Sequence, residues 1–93
     1  MIYFTLLSRS YCHLCDDMRL ALEQLLGDTP YTLEVRDIDL MIEPDAASVL
    51  ATYDELVPVL FGRLSNGVDH ELCHYFLNPS TVAEYVFVMK AAS

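Results

Sequence analysis

The chain has 93 residues, of which 54% are hydrophobic, and its 14 acidic and 5 basic side chains give a formal net charge of −9. This length and composition predict one packed domain over residues 1–93 and argue against a disordered chain. Affinity for nucleic acid comes largely from Lys and Arg side chains that neutralise phosphates, so the acidic balance argues against a nucleic-acid-binding protein. The acidic residues indicate a solvated surface, or alternatively a surface that selects a basic partner protein.

The apolar segments are too short for a membrane protein, since none approaches the ~20 residues that a span needs. The apolar N-terminus has no basic start and is interrupted by Arg9, unlike a signal peptide. We therefore expect a cytoplasmic protein without membrane association. We also expect it to be a monomer. Thiols stay reduced in that compartment, so paired cysteines there indicate catalysis or metal binding rather than a structural disulfide.

The first half of the chain predicts a strand, a helix and a second strand. Residues 2–7 are rich in β-branched and aromatic side chains, which favours a strand. A helix follows, because apolar residues recur at three- and four-residue spacing: Leu14, Met18, Ala21, Leu22, Leu25 and Leu26. Residues 27–30 form a helix stop and turn, and the alternating residues 31–38, ending at Ile38, predict the second strand. Such a β-α-β unit has parallel strands.

The second half predicts a helix, a hairpin and a last helix. The second helix is predicted over residues 43–53, with a proline in its first turn. Residues 57–61 form the third strand, and a turn at residues 65–67 leads to an antiparallel fourth strand over residues 68–73. Asn78 is the predicted cap of the last helix.

Two cysteines three residues apart, Cys12 and Cys15, stand between the first strand and the first helix. A cysteine at a helix N-terminus faces unpaired N–H groups and the positive end of the helix dipole, which favour the thiolate. In such a setting its pKa falls to roughly 3.5–7.5 from about 8.5. The pattern predicts thiol–disulfide exchange, with Cys12 as nucleophile and Cys15 as resolving thiol. Zinc binding is the alternative, with a second half-site made of Cys73 and His74, or of His13 beside the pair. The neighbouring residues 73 and 74 lack the usual ligand spacing.

The element order and two motifs together resemble a known family. The segment Arg9-Ser10-Tyr11-Cys12-His13-Leu14-Cys15 is similar to the basic residue, loop and C-x-x-C of glutaredoxins, and Leu56-Val57-Pro58-Val59-Leu60 is similar to their Val-Pro element. The resemblance implies an α/β, thioredoxin-like (glutaredoxin-like) fold of order β-α-β-α-β-β-α, with a four-stranded mixed sheet and three helices. It also implies a thiol–disulfide oxidoreductase that uses a dithiol mechanism.

The resemblance implies roles for residues around the cysteines. Pro58 would form a cis peptide bond facing the site and leave the Val57 backbone to pair with an extended substrate; a trans proline at a strand start is the alternative. Arg9 stands where the family has its glutathione-binding basic residue. Apart from the resemblance, Tyr11 flanks Cys12 in the sequence and could shape substrate access. His13 replaces the usual proline and either favours the Cys12 thiolate or is a tolerated surface side chain.

The chain departs from the glutaredoxin pattern in two segments. Residues 71–78 contain no glycine where glutaredoxins have a Gly-Gly that holds glutathione, and residues 39–45 are acidic where a second cationic contact is expected. We therefore expect no bound cofactor and keep glutathione only as a candidate co-substrate. A reductase or a protein partner is the other candidate electron donor.

The expected substrates are protein or small-molecule disulfides, and the expected partner is a disulfide-bearing protein or a small thiol. Tyr75 and Phe76 could shape access to the site, and Cys73 is expected to be a small buried apolar residue. Two other functions compete with this interpretation: a non-catalytic thioredoxin-fold module that binds a basic protein, and a zinc- or iron–sulfur-binding protein.

Overall fold

A computed structural model of the protein describes residues 2–9, 12–40 and 56–92. Its elements, in chain order, are β1 (Tyr3–Ser8), α1 (His13–Leu26), β2 (Thr32–Asp37), a 3₁₀ turn (Ile38–Leu40), β3 (Val59–Arg63), β4 (Asp69–His74) and α2 (Pro79–Ala92). The described part of the chain thus contains two α-helices where three were predicted for the whole chain. The predicted helix over residues 43–53 lies outside the described residues.

The four strands form one mixed sheet in the order β2-β1-β3-β4. β1 pairs with β2 in parallel, as the β-α-β unit predicted, and β3 is antiparallel to both β1 and β4. This is a thioredoxin-like arrangement with β1 in the interior of the sheet. Neither helix of the described part is long and apolar enough to cross a membrane.

One face of the sheet is covered by both helices. Phe4 and Leu6 of β1 point into this core, where Met18, Leu22 and Val82 meet them from α1 and α2, each at most 2% exposed. The predicted apolar spacing of α1 therefore marks its buried side. The buried stripe is narrower than predicted, because Leu25 is 40% exposed.

A smaller cluster occupies the other face, at the end of the sheet where β1 ends. It consists of Leu7, Ile38 and Val59, with Leu56, Val57 and Phe61 packed against them. The prediction that Ile38 belongs to the second strand was wrong. The strand ends at Asp37 and Ile38 begins the 3₁₀ turn, where its side chain is 1% exposed. Burial in this cluster, rather than the alternating pattern of an edge strand, decides its position.

The β3–β4 hairpin and the start of α2 follow their local sequence signals. Gly67 in the turn has a φ of 85°, a conformation that glycine adopts at no steric cost. Asn78 caps α2, since its side-chain Oδ1 accepts the Thr81 N–H at 3.2 Å and its carbonyl accepts the Val82 N–H at 3.1 Å. The cap fixes where the chain leaves β4 and turns back over the sheet.

Candidate active site

Cys12 is the N-cap residue of α1, with backbone angles of φ −94° and ψ 107°. Its Sγ accepts a hydrogen bond from the Cys15 backbone N–H at 3.1 Å. The first-turn N–H groups and the helix dipole stabilise negative charge at this position. The predicted placement of Cys12 at the helix N-terminus is confirmed, and after reduction its sulfur lies where the thiolate is favoured.

Cys15 lies one helical turn further on and forms a disulfide bond with Cys12, with Cα atoms 5.2 Å apart. The two cysteines differ in accessibility, since Cys15 is 3% exposed whereas Cys12 is only half-buried. Cys12 is therefore the more accessible of the two cysteines, and Cys15 is held beside it by the disulfide bond. Dithiol exchange needs this asymmetry between a nucleophilic and a resolving thiol.

His13 extends into solvent beside the disulfide. Its side chain is 88% exposed, and Nε2 lies 3.5 Å from the Asp17 Oδ2 one turn along α1. Asp16 lies 4.0 Å from the Arg19 Nη2 in a second pair along the same helix. Exposed pairs of this kind contribute little to stability. The carboxylate of Asp17 is a local partner for His13, and a direct effect of the imidazole on Cys12 stays a prediction.

Arg9 follows β1 and binds a carboxylate of the chain itself. Its Nε lies 3.2 Å from the Asp39 Oδ2. Asp39 belongs to the 3₁₀ turn after β2, and its backbone N–H donates to the Asp37 Oδ1 at 2.9 Å. Ser8 and Asp37 are register partners in the parallel pair, so the residues after both strands meet at one edge of the sheet.

The Arg9–Asp39 ion pair was missed at the sequence level, where residues 39–45 were noted only as acidic. The signal was present in the predicted β-α-β unit, because parallel strands end at the same edge. At the position where the resemblance implied a bound glutathione carboxylate, the guanidinium already holds Asp39.

Val57 and Pro58 lie at the same edge of the sheet as the cysteines. Leu7, near the end of β1, is paired with Val59, so the residues before Val59 extend beyond β1, where Cys12 follows. The Val57–Pro58 peptide bond is cis, as the resemblance implied. Pro58 is fully buried and Val57 half-buried. Tyr11, the other predicted binding residue, lies outside the described residues.

The segment after β4 is tied to this proline. The Tyr75 backbone N–H donates to the Pro58 carbonyl at 2.8 Å, and the Phe76 N–H donates to the His74 carbonyl at 2.7 Å. Tyr75 has a φ of 64°, which is rare for a bulky side chain. Tyr75 and Phe76 were predicted from the sequence to shape access to the cysteines. No local signal indicated this backbone conformation.

Cys73, the third cysteine, is a buried free thiol, as predicted. Burial raises the pKa of the Cys73 thiol, against a smaller lowering by the hydrogen bond from the Asn78 backbone. Within residues 2–9, 12–40 and 56–92, no three His, Cys, Asp or Glu side chains are grouped so as to hold a metal ion. The zinc alternative therefore gains no support from the described part of the chain.

Solved structures share this fold. Protein Ne2328 from Nitrosomonas europaea, determined in solution by NMR, matches with a TM-score of 0.73 and 33% identity over 90% of this chain and 89% of that one. Oxidised mitochondrial thioredoxin 3 from Saccharomyces cerevisiae matches with a TM-score of 0.62 and 12% identity over 94% of this chain and 77% of that one. Fasciola hepatica thioredoxin matches with a TM-score of 0.58 and 15% identity over 94% of this chain and 79% of that one. The two thioredoxins are similar in fold alone.

The sequence itself matches no curated protein significantly. A family profile does match, and it covers residues 4–87, from the beginning of β1 almost to the end of α2. It therefore includes the C-x-x-C at the head of α1, the Val57–Pro58 segment and all four strands. The chain belongs to the family described as glutaredoxin-like domain (DUF836).

Proposed function

We propose that the protein is a thiol–disulfide oxidoreductase that works by a dithiol mechanism. The observation that carries the proposal is the geometry of the two sulfurs at the head of α1. The half-buried Cys12 is the N-cap and accepts the Cys15 N–H, while Cys15 is buried and within disulfide distance. This arrangement combines an accessible, stabilised thiolate with a protected second thiol.

The reaction begins when the Cys12 thiolate attacks one sulfur of a substrate disulfide. The substrate S–S bond breaks, a mixed disulfide forms on Cys12, and the first substrate thiolate leaves and takes a proton from water. Cys15 then loses its proton and attacks the Cys12 sulfur, which releases the second substrate thiol and closes the Cys12–Cys15 disulfide. The substrate gains two electrons and two protons, and the protein is oxidised by the same amount.

Val57 is the proposed contact for the substrate backbone, because it lies beside Pro58 at the edge of the sheet that carries the cysteines. Its backbone amide and carbonyl would pair with an extended segment next to the reacting sulfur. Tyr11 is proposed to flank the same path on account of its position beside Cys12 in the sequence.

The electron donor that returns the protein to its reduced form is proposed to be a reductase or a protein thiol rather than glutathione. Glutathione is a small anionic thiol, and a chain of net charge −9 repels it. The Arg9 guanidinium, which could offset that repulsion, already binds Asp39. The segment over residues 71–78 also provides no glycine with which to approach a tripeptide backbone closely.

Two cysteine variants test the mechanism when the reduced protein, freed of reductant, is mixed with 2-hydroxyethyl disulfide or with a disulfide-bonded peptide. Dithiothreitol is the donor only where steady-state rates are measured, with its direct reaction subtracted. Cys12→Ser should abolish reduction of both, because the nucleophile is lost. Cys15→Ser should accumulate a mixed disulfide on Cys12, seen by mass spectrometry as the protein plus one half of the substrate. Cys73→Ala is the matched control and should react as the parent does, since its thiol is buried.

The dithiol route is wrong if Cys15→Ser reduces the peptide disulfide as fast as the parent. The non-catalytic alternative is tested by the rate of Cys12 alkylation as a function of pH. A thiolate stabilised at the N-cap reacts well below pH 8, whereas a slow, flat profile up to about pH 8 would identify an ordinary thiol in a binding module.

A further inference from the structure

The segment that connects β4 to α2 forms a turn beside the proposed substrate path. We name residues 74–76 the aromatic turn. The Tyr75 N–H donates to the Pro58 carbonyl at 2.8 Å, and His74 is the register partner of Val59. The turn is therefore fixed directly to the strand entry that also presents Val57.

The backbone of the aromatic turn is held in an unfavourable conformation. Tyr75 is the one non-glycine residue in the described ranges with a positive φ, at 64°. For a residue with a Cβ this region costs on the order of 1–2 kcal/mol, and such outliers persist only where the surroundings over-determine them. Here the bond to Pro58 and the bond from the Phe76 N–H to the His74 carbonyl, at 2.7 Å, hold it.

The residue after Tyr75 has its apolar ring in solvent, one position from the N–H group that is bound to the Pro58 carbonyl. Phe76 is 70% exposed and Tyr75 is 38% exposed. The Tyr75 ring packs edge-on against His74 at 4.9 Å, and His74 in turn lies 3.3 Å from the Glu71 carboxylate. The aromatic turn is thus braced from β4, and Phe76 is its most exposed apolar group.

We propose that the aromatic turn binds an apolar side chain of a polypeptide substrate, next to the cysteine that Cys12 attacks. The inference rests on the proposed function and names its substrate class: disulfide-bearing polypeptides rather than small-molecule disulfides. Phe76 is the specificity-determining contact, and Tyr75 is the positioning residue that directs it outward.

A polypeptide is the occupant that the surroundings favour. An aromatic ring in water gains from contact with another apolar side chain, which a small disulfide such as 2-hydroxyethyl disulfide does not carry. Repulsion also disfavours a small anionic disulfide, because the chain has a net charge of −9 and the Arg9 guanidinium is paired with Asp39. A neutral or basic polypeptide segment with an apolar residue can contact the aromatic ring and is not repelled by the charge of the protein.

The test compares Phe76→Ser with Phe87→Ser, a matched control. Phe87 is equally exposed, at 74%, but lies on α2 in a groove with Leu25 and Thr29, at the end of α1 opposite to Cys12. The substrates are two disulfide-closed peptides that differ only in a Leu or a Ser beside the reacting cysteine, together with 2-hydroxyethyl disulfide. KM and kcat are measured for the parent and both variants.

Phe76→Ser should raise KM for the Leu peptide about tenfold, the factor expected when roughly 50 Å² of apolar contact is lost. KM for the Ser peptide and for 2-hydroxyethyl disulfide should stay within about twofold, and Phe87→Ser should match the parent throughout. Equal effects of the two substitutions on the Leu peptide, or equal effects of Phe76→Ser on the Leu and Ser peptides, would overturn the inference.

A failure of the proposed function is distinguishable from a failure of this inference. If the parent does not reduce 2-hydroxyethyl disulfide, the oxidoreductase proposal fails by itself. Binding is therefore also measured by fluorescence anisotropy with fluorescent linear peptides in which serine replaces each cysteine. The contact is supported if the parent and Phe87→Ser bind the Leu peptide more tightly than the Ser peptide, while Phe76→Ser binds the two peptides equally. The same affinity of all three proteins for the Leu peptide refutes it.

Discussion

Replacing Gly62 by alanine tests how α2 is joined to the sheet. Gly62 lies in β3 opposite Phe4 of β1, and the Tyr85 ring of α2 lies directly over it. A Cβ atom on residue 62 would lie 2.7–2.8 Å from three atoms of that ring. Carbon atoms pack at about 3.5–4.0 Å, so the ring would have to withdraw by about 0.7 Å or more.

The Tyr85 ring is not free to withdraw. It is 6% exposed and packs edge-on against Phe4 with ring centroids 5.3 Å apart. Its hydroxyl donates to the Arg63 carbonyl at 2.7 Å and lies 3.1 Å from the Tyr3 carbonyl, so that it joins β3 and β1. Moving the ring would strain the packing and weaken at least one of these contacts.

The expected cost combines two effects. Overpacking a filled core costs about 1–3 kcal/mol, and a lost hydrogen bond costs about 1 kcal/mol. Alanine also restricts the unfolded chain more than glycine does, which raises the free energy of unfolding by about 0.4–1 kcal/mol. We expect Gly62→Ala to lower the free energy of unfolding by about 2–3 kcal/mol, out of the roughly 5–14 kcal/mol typical of a chain this size.

Urea unfolding of the oxidised protein, followed by circular dichroism, measures this cost. The control is the same substitution in a Tyr85→Leu background, where the smaller side chain leaves room and the cost should fall below about 1 kcal/mol. An equal cost in both backgrounds, or a cost under about 0.5 kcal/mol in the parent, would refute the proposed close contact. Disulfide reduction by the folded fraction should be unchanged, because Gly62 pairs near the beginning of β1 and Cys12 follows its end.

Two further predictions concern charge and thiol reactivity. Asp39→Asn removes one carboxylate partner of Arg9, and should raise kcat/KM for glutathione disulfide about two- to fivefold, the scale of an exposed ion pair; an equal rise in the charge-matched control Asp28→Asn would assign the effect to net charge instead. Because burial raises the pKa of Cys73, its neutral thiol persists at pH values where an exposed cysteine ionises. Iodoacetamide at pH 8 should therefore label reduced Cys12 at least about tenfold faster than Cys73 in the native protein, and comparable rates would contradict the burial of Cys73.

Much of the fold follows from signals that are local in the chain. The spacing of Met18 and Leu22 marks the buried side of α1, and the Asn78 side chain caps α2 as its position before Pro79 suggested. These signals are readable because helix periodicity and capping involve atoms within four residues of one another. The same holds for Cys12, whose place before an amphipathic helix already indicated an N-terminal thiolate.

Other features required residues that are distant in sequence. Ile38 continues an alternating pattern, but burial against Leu7 and Val59 places it in the turn after β2. Tyr75 carries no local signal for a positive φ, since the conformation is held by the carbonyl of Pro58, the residue before β3. Long-range packing and hydrogen bonds override the intrinsic preferences of such residues.

The sequence by itself determined the order of the described elements, the β-α-β unit and the pair Cys12 and Cys15 at the head of α1, because each depends on short-range geometry. Only the tertiary structure decided which charges and rings surround that pair. The Arg9–Asp39 ion pair spans 30 residues, and the Tyr75–Pro58 bond joins the residue after β4 to the residue before β3. Both arise where strand ends converge at one edge of the sheet, and that convergence depends on strand order and register rather than on any local pattern.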